Sequence, residues 1–395
     1  MNPRTIVATA GGFHFFNMAR QLEKRGLLSQ LFTGYPSFKL RHLPLPKGKV
    51  FSFPFWRAPY LVHDVVGQPS RRLEAGLEFL SAKKFDEWTA RRLGDADVFV
   101  GMSSSSLFSL REAKRKGMKV VCDRGCSHIQ YQSDIIHEEF RIWNLGHFSV
   151  DPRIIERETQ EYEEADIIFV PSDFSWRSFV QLGVPESKLR LIPYGVDVSA
   201  FYPDSERDPE AFTVLFAGQM SLRKGIPYLF EAYRKLDHPN KRLLLAGTVR
   251  REVREMMETM AMRDDVEILG PVNQPRLRRL MSESDVLVLP SVEDGFGLVM
   301  AEGMACGTPV ISTENTGGSN LYTDGVEGYI VPIRSAQALH DRLQRLADDP
   351  ALRQRMSEAA MDRVQQMGGW DQYGEQVSLE LRNLVAEGKV VEAQP

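Results

Sequence analysis

The sequence predicts an α/β protein of two Rossmann-like domains that face each other across a cleft, and three observations predict it. Its 395 residues exceed the roughly 250–300 at which single hydrophobic cores stop growing, so two cores are expected. Short apolar runs alternate with amphipathic helical stretches in two successive series, the pattern of parallel sheets covered by helices. Between the series, FYPDSERDPEAF at residues 201–212 combines prolines with charges and little periodicity, as a domain boundary does, and the boundary region is placed at 197–212. The domains are drawn at 1–200 and 201–369, with residues 370–395 reading as a last helix.

The first series places strands near 5–9, 28–32, 98–101, 120–122, 167–170 and 189–192; the second places them near 214–216, 243–246, 266–269, 286–289, 309–311 and 329–331. Val286, Leu287, Val288 and Leu289 show the logic. A continuous apolar run of this length, ahead of Pro290, suits a strand buried on both faces. After the first strand, Gly11 and Gly12 turn the chain into a helix carrying Phe16, Met18, Ala19 and Leu22. That turn lacks the G-x-G-x-x-G spacing, and no G-x-x-x-x-G-K-[ST] occurs, so nicotinamide and P-loop readings lose their main support. Gly195, within Pro193, Tyr194, Gly195, Val196 and Asp197, is expected to supply a positive φ in a turn.

Residues 36–72 stand apart in the first domain. Lys39, Arg41, Lys47, Lys49, Arg57, Arg71 and Arg72 face the single acid Asp64, interleaved with Phe38, Phe51, Phe53, Phe55, Trp56 and Tyr60. Prolines predict a long loop or short irregular helices. Exposed cations beside apolar rings suit an anionic membrane surface; the plainer reading is a surface insertion whose rings pack on their own domain.

Composition narrows the classes. Hydrophobic residues at 43%, charged residues at 26% and a net charge of -4 describe a globular protein without general attraction for nucleic acid. Cys122, Cys126 and Cys306 are too few for a disulfide framework. The C-x3-C spacing of the first two, without a second pair, reads as buried thiols rather than zinc ligands. The apolar run near the N-terminus is too short for a secretory signal, and no run reaches the ~18 residues of a membrane span. A cytoplasmic protein is expected.

The chemistry concentrates at residues 290–312, PSVEDGFGLVMAEGMACGTPVIS. Gly295 and Gly297 flank Phe296 just before a helical pattern, so a flexible turn meets free helix amides. Such a point favours a phosphate by roughly 0.3–1 kcal/mol when exposed and up to about 2 when partly buried. Asp294 and Glu302 are separated by about two helical turns, so both can face one cleft. Beside a phosphate, carboxylates need hydroxyls, and a ribose plus a second sugar would supply them. Arg223 and Lys224 sit in a loop between a strand turning at Gly218 and a helix starting near Pro227. Cations there can neutralise a departing diphosphate, although the default for a lone loop lysine is solvation.

Asp294 and Glu302, with EGMACGTPVI running from the second of them, resemble the Glu-x7-Glu signature of retaining, nucleotide-sugar-dependent glycosyltransferases of family four, the glycosyl transferases group 1, which have the GT-B fold. Asp294 stands where that family has Glu, with Glu293 just before it. Residues 170–203 are similar to the family's approach between its domains, with Tyr194 in place of Asn. Gln219 stands where the family often has Arg, and Arg223 is the candidate substitute. The resemblance implies that Glu302 binds the nucleotide ribose. It also implies that Asp294, with the backbone of Gly295, Phe296 and Gly297, contacts the donor sugar and phosphate. Lys224 and Arg223 would hold the diphosphate, and Gly12 would lie beneath the donor phosphates. His128 resembles the family's active-site His that contacts the donor sugar; the plainer reading is a structural histidine. Arg124 could help the phosphate, and His14 is a weaker candidate. The implied catalytic set is His128, Asp294 and Lys224, and the final helix would cross back onto the first domain.

The activity implied by the resemblance is retaining transfer of a sugar from a nucleotide-diphosphate sugar, the co-substrate, to an acceptor hydroxyl on a glycan, a lipid-linked molecule or a small molecule. No cofactor is expected. No Asp-x-Asp signature stands out, so cations and backbone amides would stand in for a metal. Two other readings stay open: a nucleotide-sugar 2-epimerase of the same fold, and a non-catalytic partner subunit. Gln219 and Asp294 favour the latter, and Lys224 and Glu302 oppose it. Peripheral contact with the inner face of the membrane would run through residues 36–72.

Overall fold

The computed structural model describes residues 2–12, 14–41, 43–54, 71–148 and 150–392. The first sheet contains β1 (Thr5–Thr9), β2 (Leu28–Thr33), β3 (Val50–Ser52), β4 (Val98–Met102), β5 (Lys119–Asp123), β6 (Ile167–Val170) and β7 (Leu189–Leu191). Its order is β3-β2-β1-β4-β5-β6-β7. The second contains β8 (Phe212–Ala217), β9 (Lys241–Ala246), β10 (Val266–Gly270), β11 (Val286–Leu289), β12 (Val310–Thr313) and β13 (Gly328–Val331), ordered β10-β9-β8-β11-β12-β13. The pairs in both sheets are parallel. Two Rossmann-like domains result, as the alternating apolar runs predict.

The central strands are buried at every position, β1, β6, β8, β11 and β12 among them, because helices cover both faces. That is why they read as continuous apolar runs. In each sheet the order reverses beside its first strand, between β1 and β4 and between β8 and β11. Loops leaving such a pair at the carboxyl ends diverge and open the crevice where α/β sheets take ligands.

Residues 36–72 are expected to form a long loop or short irregular helices; the short helical turns are there, and strand β3 is the feature the sequence did not announce. Short 3-10 turns at Ser37–Leu40 and Lys47–Lys49 lead into it, and it adds a parallel edge beside β2. Its three half-buried residues carry too little apolar pattern to announce a strand. Phe51 stacks on Phe32 at 5.1 Å and Phe53 on Trp88 at 4.9 Å, so these rings belong to the domain's own packing. Lys49 is committed to Glu23 at 2.6 Å and to the Leu28 carbonyl at 2.9 Å. Phe38 is 61% exposed, with exposed Lys39, Arg41 and Lys47 nearby in sequence. Phe55, Trp56, Arg57, Tyr60 and Asp64 lie outside the described residues, as do the side chains of Arg71 and Arg72.

The helix Gly369–Glu392 follows the second sheet yet binds the first domain. Asp371 pairs with Lys24 at 2.8 Å and its carbonyl accepts from Arg25 at 2.8 Å, while Glu380 pairs with Arg190 at 2.9 Å. Two crossings between the domains therefore touch, and they explain Gly195 differently from the sequence. Gly195 is not among the residues with positive φ. A Cβ there would instead lie 2.3 Å from the Gly369 carbonyl carbon, so close chain approach is what demands glycine. Among the described residues, no helix is long and apolar enough to cross a membrane.

Candidate active site

The loops after β8 and β11 are built as one unit. Gly225, at φ 70°, caps the helix Ile226–Lys235, and a Cβ on it would fall 1.8 Å from the Pro290 carbonyl oxygen. The Val292 amide donates to the Arg223 carbonyl at 2.9 Å. Gly297, at φ 78°, starts the helix Leu298–Ala305. A third segment, after β12, braces the turn. The Asp294 amide donates to the Asn315 carbonyl at 3.0 Å, the Asn315 side chain to the Val292 carbonyl at 3.0 Å, and the Gly317 amide to the Phe296 carbonyl at 2.9 Å.

Two cation and carboxylate pairs sit side by side on this unit. Lys224 pairs with Asp294, and Arg223 Nη1 reaches Glu293 Oε2 at 3.1 Å and the Glu293 carbonyl at 3.0 Å. Burial pushes the Lys224 ammonium below its usual range, with Asp294 opposing the shift in part. Four formal charges thus cancel in neighbouring pairs. Sequence reading gave Lys224 and Asp294 separate donor contacts; the structure joins them to each other.

The first domain closes on the same turn. Ser127 donates to Glu293 Oε1 from its amide at 3.2 Å and its hydroxyl at 2.7 Å, and Gln132 donates to Oε2 at 2.9 Å. Arg124 in turn holds Gln132 Oε1 at 3.0 Å and Glu158 at 3.0 Å. The Gly295 carbonyl accepts from Ser172 at 2.5 Å and Ser175 at 3.3 Å. A Cβ at Gly295 would lie 2.0 Å from the Gly125 carbonyl oxygen, so this glycine lets the two domains meet. The Phe296 ring is buried edge-on to Tyr194 at 5.1 Å, which gives a reason for tyrosine at position 194.

Glu302 stands elsewhere, on the wall of a cleft of about 390 Å³ at the carboxyl ends of β8, β9 and β10. Gly218, Gln219, Gly247, Thr248, Val272 and Leu277 form the other walls. Burial alone pushes its carboxyl up to about 7, and among the described residues no cation pairs with it. Asp294 is not among the residues that wall this cleft and is held instead against Lys224.

The remaining candidates are in the first domain. His128 is buried and caps the helix Ile129–Ile142, its Nδ1 accepting from the Gln130 amide at 3.2 Å. Tyr162 and Phe179 pack on its ring at 4.9 and 5.0 Å. Burial, with help from Arg124, lowers its pKa to about 4, so the ring is neutral at pH 7 and carries its proton on Nε2. Gly12 turns the chain after β1 beneath the rings of Phe16 and Tyr35, which a Cβ would meet at 3.0 and 3.3 Å. His14, the weaker candidate from sequence, is bonded through Nε2 to Asp123 at 2.9 Å and stacks on Tyr194 at 4.3 Å. Among the described residues, no group of three or more His, Cys, Asp or Glu side chains could hold a metal ion.

The structure thus brings together Arg223, Lys224, Asp294, Gly295 and Phe296, sets Glu302 in an adjoining cleft, and places His128 as a cap in the facing domain. Glu293, Ser127, Gln132 and Asp123 were not singled out by sequence. The only sequence signal for Glu293 was its place beside Asp294.

Residues 11–200 match the family described as Glycosyltransferase Family 4, and residues 199–363 that described as Glycosyl transferases group 1. The chain is 34% identical over 202 residues to D-inositol 3-phosphate glycosyltransferase of Pseudarthrobacter chlorophenolicus, covering 47% of this chain and 48% of that protein. It is 30% identical over 151 residues to alpha-D-kanosaminyltransferase of Streptomyces kanamyceticus, covering 37% and 39%. In the first of these matches the chain spans about half the length of its curated relative. Among solved structures, sucrose-phosphate synthase from Thermosynechococcus elongatus superposes with a TM-score of 0.75 at 20% identity, over 97% of this chain and 100% of that one.

Proposed function

The chain belongs to glycosyltransferase family 4, the group 1 glycosyl transferases, and from that premise we propose that it moves a sugar from a nucleotide-diphosphate sugar to an acceptor hydroxyl with retention of configuration. One observation carries the donor assignment. Glu302 is a desolvated carboxylate with no cationic partner among the described residues, on the wall of a cleft lined by Gly218 and Gly247. Burying such a group without hydrogen bonds is costly, and a pair of ribose hydroxyls would satisfy it.

From a nucleoside held there, the diphosphate would run toward Lys224 and the amides at the start of the helix Leu298–Ala305. Lys224 would exchange Asp294 for a phosphate oxygen, and Asp294 would turn to the hydroxyls of the transferred sugar. His128, with Nδ1 committed to Gln130, would offer Nε2–H to that sugar. The bond from the sugar C1 to the diphosphate oxygen breaks as the bond from C1 to the acceptor oxygen forms on the same face. The acceptor proton passes to the departing phosphate oxygen. Lys224 and the helix amides stabilise the charge that develops on the diphosphate, so transfer is expected to proceed without a metal and without a further cofactor.

The test is a panel of nucleotide-diphosphate sugars, each with and without candidate acceptors and in excess EDTA. Binding by thermal shift should appear for one nucleotide class, a ligand at 100 times its dissociation constant adding about 2.7 kcal/mol. Acceptor-dependent release of nucleoside diphosphate supports transfer. An epimerised sugar from donor alone indicates the 2-epimerase reading, and a folded protein that binds none of the panel contradicts the donor site.

A lipid-linked acceptor is favoured by exposed Phe38 beside Lys39, Arg41 and Lys47, each cation near an anionic surface contributing about 1 kcal/mol. Salt-sensitive co-sedimentation with anionic vesicles should fall when those three cations become Gln. Equal recovery with neutral vesicles, or none, would favour a water-soluble acceptor.

A further inference from the structure

Resting on the donor-site reading, we propose that Glu293 is a positioning residue: it fixes the two domains in the arrangement that transfers, and it neutralises Arg223 so that Lys224 alone is free to take the diphosphate. Its carboxylate is fully buried, and both oxygens are used. Oε1 takes two donors from Ser127 in the first domain; Oε2 takes Gln132 from the first domain and Arg223 from the second.

Charge decides between the two neighbouring pairs. Arg223 and Lys224 are matched by Glu293 and Asp294, so a diphosphate enters a locally neutral site and must open one pair. Opening Lys224 and Asp294 leaves Asp294 at the turn, where sugar hydroxyls can receive it. Opening Arg223 and Glu293 instead leaves the fully buried Glu293 carboxylate, and buried Ser127 beside it, without a matching cation. Burial pushes the Glu293 carboxyl up, but Arg223 and the hydrogen bonds from Gln132 and Ser127 outweigh it and hold it below the usual range. Glu293 therefore stays charged across the neutral range.

The tie reaches further than one residue. Gln132 is held by Arg124, and Arg124 also holds the Ser127 carbonyl at 3.0 Å, next to His128. Glu293 thus sets the distance between the loop that carries His128 and the loop that carries Lys224.

Glu293→Gln separates positioning from simple support of the fold. It removes the charge that matches Arg223, so nucleoside diphosphate should bind as tightly as in wild type or more tightly, while kcat falls at least about tenfold because the domains lose register. Ser127→Ala keeps the charge and removes one hydrogen bond. It should lower kcat about two- to tenfold with unchanged diphosphate affinity. Small-angle scattering should show a larger radius of gyration for Glu293→Gln. Parallel loss of diphosphate affinity and kcat, or an unchanged kcat in both variants, overturns the proposal. If Glu293→Gln does not fold, Ser127→Ala decides by the same two readouts. If the wild-type chain uses no nucleotide sugar, the functional reading fails, and scattering alone judges Glu293: an unchanged radius of gyration overturns it.

Discussion

Glu293 lies in the turn and Glu302 on the helix of one strand-turn-helix unit, and the chain treats them in opposite ways. Glu293 is saturated by Ser127, Gln132 and Arg223, and its pKa is held down against burial. Glu302 has burial without a cationic partner among the described residues, and its pKa rises to about 7. A carboxylate whose needs are met inside the protein holds structure together. One whose needs are unmet, on the wall of a cleft, is kept for a ligand. The same contrast separates Arg223, spent on Glu293, from Lys224, whose partner Asp294 has another possible use.

The comparison is broken most directly by stability. Removing one partner of a buried ion pair costs about 3–5 kcal/mol, so Glu293→Ala should lower unfolding free energy by that order in denaturant titration. Glu302→Ala should cost little, since it removes a group that burial already disfavours. Equal losses would erase the distinction.

Activity should divide the other way. Glu302→Ala and Lys224→Ala should each lower kcat/KM tenfold to hundredfold with the fold intact by circular dichroism, the value of roughly 1.5–3 kcal/mol in charged hydrogen bonds. Full activity in both would remove the donor site from this cleft.

A smaller effect is expected from pH. Hydroxyls bind the ionised form of Glu302 better, so kcat/KM for the donor should rise with pH through about 7, and the inflection should vanish in Glu302→Gln. The sign for stability is reversed. A carboxyl whose pKa is raised by folding contributes stability below its unfolded pKa and loses it as pH rises through about 7. Glu302→Gln should therefore gain on wild type between pH 5 and 8. The smallest effect is expected from Asp294→Glu, which lengthens the partner of Lys224 by one methylene and should keep substantial activity. Complete inactivity would show that the short side chain is required beside Lys224.

Much of this was readable in the chain, for a physical reason. Strands buried on both faces, such as β1 and β11, must be apolar at every position, and the turn at Gly295 and Gly297 must be glycine. β3 escaped because half-buried Val50, Phe51 and Ser52 at a sheet edge carry no such pattern. Glu293 escaped because its partners Ser127 and Gln132 are more than 160 positions away, and a glutamate beside a glycine turn looks solvated in isolation. The pairing of Lys224 with Asp294 was hidden for the same reason. The need of Gly195 for close approach rather than positive φ depends on Gly369, near the far end of the chain.

The measurement closest to the central claim, that Glu302 is reserved for ribose hydroxyls, is calorimetric titration of wild type and Glu302→Ala with a matched pair of ligands. The pair is the nucleoside diphosphate selected by the panel and its 2′,3′-dideoxy analogue. Wild type should prefer the ribose form by about tenfold or more, and Glu302→Ala should bind the two alike. Equal binding of both ligands by wild type, or a ribose preference that survives in Glu302→Ala, would contradict it.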